Sequence, residues 1–137
     1  MRVLCIDPGE KRLGVAVSDP TGTLARPLTV LRHVSRGENA ARIVRLAEEH
    51  GCERIVIGQA KDWDDRETPA SRRARRLAGA VRAQTGIPVE LWDEYGSTQA
   101  ARQARREMGA GRAKRRGHLD DLAAAVILQS YLEAHKE

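Results

Sequence analysis

Acidic residues stand at places where predicted elements of secondary structure begin or end. Asp7 closes the first strand, and Glu94 follows the last one. Asp120 and Asp121 fall in the first turn of the last helix. If the two strands are neighbours, Asp7 and Glu94 converge at one edge of the sheet, where an acid from the helix start would complete a cluster. Converging carboxylates repel each other unless protons or cations lie between them, so this pattern indicates a metal site.

A site built only from oxygen ligands suits Mg²⁺ or Mn²⁺. Two such ions about 3.5–4 Å apart can hold the attacking water and the leaving oxygen of a phosphodiester. Each acid also has an ordinary explanation: Asp7 precedes a Pro-Gly turn, Glu94 suits the positive end of a following helix, and Asp120 can open a helix. The metal interpretation therefore depends on all of these acids occurring together on a basic chain.

The charge of the chain is unevenly distributed. Its 137 residues carry a formal net charge of +5. Five arginines and no acid lie between Pro69 and Ile87, and seven basic residues with one acid lie from Arg102 to Arg116. Clusters of this kind are what a surface that contacts successive phosphates needs. We therefore expect a nucleic-acid partner rather than a surface whose charge serves only solubility.

Composition excludes several other classes of protein. Hydrophobic residues make up 41% and charged residues 31%, which is typical of a folded globular chain. No apolar run approaches the roughly 18 residues of a membrane span, and the N-terminus does not resemble a signal peptide. Cys5 and Cys52 lack the spacing of a zinc site and are expected to be inert thiols. The expected location is the cytoplasm, without a membrane partner.

Local patterns predict five strands. The first three are joined by short turns and should form an antiparallel meander. Pro27 lies inside the third and cannot donate to a ladder, so that strand should be an edge strand or a bulged one. The predicted strands are Arg2–Ile6, Leu13–Ser18, Leu24–Leu31, Arg54–Gly58 and Pro88–Trp92.

Helical periodicity fills the rest of the chain. One helix has Ala41, Val44, Leu46 and Ala47 on one face and ends at Gly51. The others are Pro69 to about Thr85-Gly86, Ser97 to about Met108, and one from His118 or Leu119 to the C-terminus, after a basic loop at Gly109–Gly117. The order predicts one α/β domain over residues 1–137, with a mixed five-stranded sheet flanked by helices.

Four segments resemble one known family. They are IDPGEKRLGVAVSD (Ile6–Asp19), IVIG (Ile55–Gly58), WDEYGSTQA (Trp92–Ala100) and GHLDDLAAAVILQSYL (Gly117–Leu132). In this order and spacing they are similar to the YqgF/RuvX family, RNase H-like proteins described as Holliday junction resolvases and pre-16S rRNA nucleases. The resemblance covers almost the whole chain. It implies an RNase H-like fold with a three-stranded antiparallel meander and two parallel strands.

The resemblance also implies roles for particular residues. Asp7, Glu94 and one acid of the last helix would bind two divalent ions, and the small residues that follow select Asp120 rather than Asp121. Asp7 would bridge the two ions, whereas Glu94 and Asp120 would each hold one. Lys11 and Arg12 match a basic pair that would contact nucleic acid. Further phosphate contacts are expected from Arg72, Arg73, Arg76, Arg112, Lys114, Arg115 and Arg116.

The chain departs from the family pattern at two places. Gln59-Ala60 stands where Leu-Pro is usual, and Tyr95 stands where an arginine usually follows the acid. The carboxylates are kept, so these departures bear on substrate positioning rather than on metal binding.

The substrate and the class of function have alternatives. The substrate would be structured RNA, with processing of the pre-16S rRNA 5′ end first, or a branched DNA junction, and the protein would be a monomer or a homodimer. One rival function is a nucleic-acid-binding module without catalysis. Another is an actin-like ATPase, which Asp7 and Gly14 also resemble, although such proteins need two related domains. His118 would assist proton transfer or simply lie at the surface.

Overall fold

The structure is a computed structural model that describes residues 1–60, 66–93 and 120–136, with side chains of the last helix described from residue 122. The predicted helix from Ser97 to Met108, the basic loop after it, His118 and Glu94 lie outside the described residues. The elements are β1 (Val3–Pro8), β2 (Arg12–Ser18), β3 (Ala25–Arg32), α1 (Arg36–Glu49), β4 (Arg54–Gln59), α2 (Pro69–Arg82), β5 (Val89–Asp93) and α3 (Asp120–Ala134).

Within the described residues the five strands form one mixed sheet in the order β3-β2-β1-β4-β5. β2 pairs antiparallel with β1 and β3, whereas β4 runs parallel to β1 and β5 runs parallel to β4. The prediction of a meander followed by two parallel strands is therefore confirmed. The condition under which Asp7 and Glu94 were expected to converge, that their strands are neighbours, is not met, because β4 lies between β1 and β5.

The unusual proline of the third strand is explained by its place in the sheet. β3 is the edge strand. Its register with β2 shifts so that Val15 pairs with Thr29 but Ala16 pairs with Pro27, which leaves Leu28 as the extra residue of a bulge. A proline is tolerated at an edge and at a bulge because a missing N–H breaks no ladder there. Both predicted features of this strand are confirmed.

Each face of the sheet covers an aliphatic core. On one face Leu4, Ile6 and their neighbours pack with α1 and α2. On the other face Val3 and Cys5 pack with α3. Because side chains alternate along a strand, every residue of β1 can be assigned to the α1/α2 face or to the α3 face.

Caps fix the starts of the two helices on the first face. The Ser35 side chain accepts from Glu38 N–H at the start of α1. In α2, Thr68 and Ser71 form a reciprocal capping box, and Pro69 takes the first helical position as predicted. α2 ends at Arg82, earlier than expected, because the chain turns there and Gln84 N–H donates to the Val81 carbonyl.

In the described part of the chain no helix is long and apolar enough to cross a bilayer.

Candidate metal centre and nucleic-acid interface

Asp7 is held inside β1 rather than in a turn. It is the fifth residue of that strand, pairs with Gly14 of β2 and is partly buried. Strand alternation places it on the α3 face with Cys5, whereas Ile6 and Pro8 belong to the α1/α2 face. The ordinary turn explanation for Asp7 therefore fails, since the sheet fixes its backbone.

The turn after Asp7 is tight and needs its glycine. Gly9 N–H donates to the Arg12 carbonyl at 2.9 Å. A Cβ at Gly9 would lie 2.5 Å from that same oxygen, so no other residue fits without a backbone shift. The turn presents Lys11 and Arg12 as exposed residues directly beside the end of β1. The structure thus brings the basic pair close to Asp7 along the same edge of the sheet.

Gly58 lies between β1 and β5 at the level of Asp7. The registers pair Ile6 with Ile57 and Gly58 with Trp92, so Asp7, Gly58 and Trp92 are at one height. A Cβ at Gly58 would lie 3.1 Å from Ile127 Cδ1 on the α3 face. The absence of a side chain here lets α3 approach the sheet closely, with Ile127 packed over Gly58.

Contacts along α3 fix its direction. Ile127 lies over Gly58 near the end of β4, whereas Tyr131 accepts from Arg54 Nη1 at 2.9 Å at the start of that strand. α3 therefore runs antiparallel to β4, and its N-terminus lies toward the edge where Asp7 stands. Trp92 Nε1 donates to Ser130 Oγ at 3.0 Å and tethers the helix on the β5 side. Burial raises the pKa of Tyr131, and its hydrogen bond with Glu90 raises it further, so the phenol stays neutral.

Gln129 tethers the other side of α3. Its Oε1 accepts from Ala25 N–H at 2.9 Å, and its Nε2 donates to the Thr23 carbonyl at 3.1 Å. The helix is thus held between the start of β3 and the end of β5. Its orientation over the sheet does not depend on hydrophobic packing alone, because these hydrogen bonds are directional.

The predicted acids are described to different extents. Asp7 is described in full. α3 is described from Asp120, which agrees with the prediction that this residue lies in the first turn, but its side chain is not described. Glu94 follows Asp93, the last residue of β5, in the sequence. Among the described side chains no group of three metal-binding residues occurs. Carboxylate oxygens are hard donors, so Asp7, Glu94 and Asp120 are of the residue type that fits Mg²⁺ or Mn²⁺.

Three arginines of α2 lie beside Arg36 of α1, which the sequence did not predict as a phosphate contact. Arg36, the first residue of α1, lines a hollow of about 350 Å³ together with Arg72, Arg73 and Arg76. Arg36 is far from the other three in sequence, and only the packing of α1 beside α2 brings them together. The remaining predicted phosphate contacts, Arg112, Lys114, Arg115 and Arg116, lie outside the described residues.

Two further titratable groups serve the fold. Burial raises the pKa of Cys52 to about 11, so this thiol stays protonated near neutral pH, in agreement with the expected inert role. The hydrogen bond from the Thr21 hydroxyl, and then those from the Leu24 and Thr23 N–H groups, hold the pKa of Asp19 far below its usual value. Asp19 therefore fixes the β2–β3 turn and is not a candidate metal ligand.

Comparisons with known proteins agree with this arrangement. A family model described as "RuvX: Holliday junction resolvase" matches residues 1–134. A protein of Symbiobacterium thermophilum is 40% identical over 134 residues, covering 98% of this chain and 93% of its own. One of Geobacillus kaustophilus is 40% identical over 138 residues, covering 99% and 100%. Both carry the provisional name pre-16S rRNA nuclease.

Solved structures show the same fold at lower identity. RuvC of Thermus thermophilus bound to a Holliday junction gives a TM-score of 0.59 at 21% identity, covering 98% of this chain and 95% of RuvC. The fowlpox virus Holliday junction resolvase gives 0.55 at 16% identity, covering 98% and 99%. The predicted RNase H-like fold is confirmed by these likenesses.

Proposed function

The chain belongs to the RuvX family of Holliday junction resolvases, and from this membership we propose that it hydrolyses phosphodiester bonds in structured nucleic acid with two divalent metal ions. Asp7, Glu94 and Asp120 would hold the ions. The observation that carries the proposal is the position of Asp7. The sheet fixes this residue on the face that α3 covers, and the N-terminus of α3 lies toward the same edge of the sheet.

Gly58 explains how carboxylates on non-adjacent strands can serve one site. β1 and β5 are separated by β4, so their backbones lie about 10 Å apart at the usual strand spacing. At the level of Asp7 the strand between them carries no side chain. Ile127 packs over Gly58 instead, which lets α3 lie close to the sheet and would bring the acid at its start toward Asp7 and the end of β5.

Helix periodicity supports Asp120 over Asp121 as the third acid. Position 120 precedes Ile127 by two turns and so shares its face, whereas position 121 shares the face of Leu128. Ile127 lies over Gly58, between β1 and the end of β5. The residue on its face is therefore the one nearer to the space beside Asp7.

The roles of the protein's residues follow from this placement. Bound metal ions would supply an activated water and would neutralise the charge that develops on phosphorus. Asp7 would bind both ions, while Glu94 and Asp120 would each bind one. Lys11 and Arg12 would hold the phosphates next to the scissile one, since they are exposed at the same edge. Arg112, Lys114, Arg115 and Arg116 would extend this contact along the strand.

Two substrates follow from the comparisons. We favour pre-16S rRNA, because relatives at 36–40% identity are named as pre-16S rRNA nucleases, and we propose cleavage at its 5′ end. A Holliday junction is the second candidate, because the family description names it. Resolution of a junction needs symmetric cuts on two strands and therefore a dimer, so a mass measurement by light scattering bears on the choice.

Cleavage assays test the proposal directly. A pre-16S rRNA fragment and a four-way DNA junction are incubated with Mg²⁺, Mn²⁺ or EDTA and with wild-type, Asp7→Asn or Glu67→Gln protein. We expect metal-dependent cleavage that Asp7→Asn lowers by at least about 100-fold, since even residues that only support a metal ligand contribute about 10–100-fold. Glu67 pairs with exposed Arg75 of α2, on the helix that packs against the opposite face of the sheet from α3, so Glu67→Gln should cleave like the wild type. Cleavage by Asp7→Asn at the wild-type rate would exclude the site, and binding without any cleavage would favour a non-catalytic module.

A further inference from the structure

A basic hollow lies on the α1/α2 face. Arg36 from α1 and Arg72, Arg73 and Arg76 from α2 line it, and its volume is about 350 Å³. At about 30 Å³ for each water molecule in the liquid, it has room for a phosphate with its hydration. A second hollow of about 360 Å³ shares Arg36 and Arg73 and extends to the β1–β2 turn, where Glu10 and His33 line it.

The arginines stand where helix stability disfavours them. The N-terminus of a helix carries a partial positive charge and favours acids. Arg36 is nevertheless the first residue of α1, with Glu38 as the acid of that turn, and α2 has no acid in its first turn while Arg72 and Arg73 follow directly. In the described part of the chain Arg36, Arg72 and Arg76 form no ion pair. Two helix starts and these guanidinium groups therefore create a positive potential that an anion would relieve.

The hollow lies on the opposite side of the sheet from the proposed metal site. Leu13 and Leu77, which line the second hollow, belong to the core under α1 and α2. Pro8 also lines it, whereas Asp7 belongs to the α3 face. One phosphate therefore cannot contact both Asp7 and this hollow, so an anion bound here is a second one.

A carboxylate of the protein pairs with one arginine of the basic hollow. Glu10, which lines the second hollow, has its Oε1 3.3 Å from Arg73 Nη2, and Arg73 lines both hollows. The next ion pair along α2, Arg75 with Glu67, has nearly the same length, 3.1 Å, but neither residue lines either hollow. These two pairs are therefore matched, and only the first involves an arginine of the basic hollow.

His33 offers a donor at the rim of the second hollow. Asn39 Oδ1 accepts from Val34 N–H at 3.1 Å and from Arg42 Nη2 at 2.8 Å, so its amide nitrogen faces His33 Nδ1 at 2.9 Å. Nδ1 must then accept, and the proton of the neutral ring lies on Nε2. Asn39 thereby fixes the tautomer that can donate to an anion.

We propose that the hollow formed by Arg36, Arg72, Arg73 and Arg76 binds a second phosphate of the nucleic acid, on the opposite side of the sheet edge from Asp7. Glu10 holds Arg73 until that phosphate replaces it. The identity of the ligand as nucleic acid rests on the proposed function, whereas the preference for a phosphate anion rests on the hollow alone. A nucleic acid that contacts both Asp7 and the hollow must pass around the β1–β2 turn. A branched or folded nucleic acid can do so, because different strands of it can contact the two faces.

Binding of a four-way junction and of an RNA hairpin with a single-stranded tail tests the arginines. Wild-type protein, Arg72→Gln/Arg76→Gln and Arg75→Gln are titrated by fluorescence anisotropy at several salt concentrations in EDTA, where no cleavage interferes. Each phosphate contact contributes about 0.9 to the slope of log K against log salt. We expect the double variant to lose about 1–2 units of slope and Arg75→Gln to keep the wild-type slope. Equal slopes for all three proteins, at equal melting temperatures, would overturn the proposal.

Removal of the competing carboxylate gives a test by gain of affinity. Exposed ion pairs contribute little, so Glu10→Gln should tighten binding by about 1.5- to 5-fold. Glu67→Gln removes a similar charge from the matched pair. If both variants tighten binding equally, the effect is one of net charge, and the role of Glu10 in the hollow is wrong.

Inorganic phosphate and pyrophosphate distinguish a nucleic-acid phosphate from a free anion. Calorimetric titration of these anions should show only weak binding that the double variant abolishes. Tight pyrophosphate binding, together with unchanged junction binding by the double variant, would instead assign the hollow to a small anion. Because none of these assays involves cleavage, the hollow can fail while Asp7 remains catalytic, and the metal site can fail while the hollow binds.

Discussion

Gly58→Ala tests the close approach of α3 to the sheet. The added Cβ would lie 3.1 Å from Ile127 Cδ1, 3.4 Å from its Cγ2 and 3.6 Å from the Ile6 carbonyl oxygen. Only the first distance is clearly short, and the atom concerned is the end of a side chain. Overpacking typically costs about 1–3 kcal/mol, while replacing glycine by alanine stabilises by about 0.4–1 kcal/mol through the unfolded chain. We therefore expect a net loss of about 1–2 kcal/mol, or about 3–8 °C in melting temperature for a chain of this size.

Ile127→Val provides the matched control because it deletes the Cδ1 methyl that the new Cβ would meet. Alone it should cost about 0.5–1.5 kcal/mol. Combined with Gly58→Ala it should cost less than the sum of the two, with a coupling of about 1 kcal/mol measured by denaturant unfolding. Additive losses in this cycle would refute the close contact between Gly58 and Ile127.

The same cycle separates packing from the site. If the close approach of α3 at Gly58 positions the first turn of this helix for the site, cleavage by the double variant should remain low although its stability recovers. Full recovery of cleavage together with stability would mean that Gly58 matters only for packing, and the explanation given above for how β1 and β5 share one site would be wrong.

Three further predictions concern single residues. Asp120→Asn should abolish cleavage while Asp121→Asn retains most of it, and a reversed result in the same assay would move the third ligand to Asp121. Asp19→Asn should lower the melting temperature at pH 7. Because the pKa of Asp19 is depressed in the folded protein, its contribution to stability is present above the unfolded value of 3.8 and is lost at lower pH. The difference in melting temperature from the wild type should therefore shrink below about pH 4. A difference that stays constant with pH would contradict this. Gly9→Ala should destabilise by about 1–3 kcal/mol, since its Cβ would lie 2.5 Å from a backbone oxygen that cannot rotate away, and thermal unfolding at the wild-type temperature would show that the turn can rearrange.

The sequence by itself determined much of the local structure, because the signals involved are local. Alternation and turn residues predicted the strands to within about two residues, and Pro27 predicted an edge and a bulge because a missing N–H has the same consequence in any fold. The start of α2 followed from Thr68-Pro69, where cap chemistry depends only on neighbouring residues. The acidic positions were also visible, although the ligand roles of Asp7, Glu94 and Asp120 stay predictions.

Only the tertiary structure decided what lies beside what. No local pattern places β4 between β1 and β5, because parallel pairing joins strands that are distant in sequence. The sequence therefore left the adjacency of the strands of Asp7 and Glu94 as a condition, which the structure does not meet. Gly58 had no apparent role until the register placed it level with Asp7 and under Ile127. Arg36 belonged to no basic cluster in the sequence and joins Arg72 and Arg76 only because α1 packs beside α2. Residue types determine which chemistry is available, whereas non-local packing determines which residues can act together.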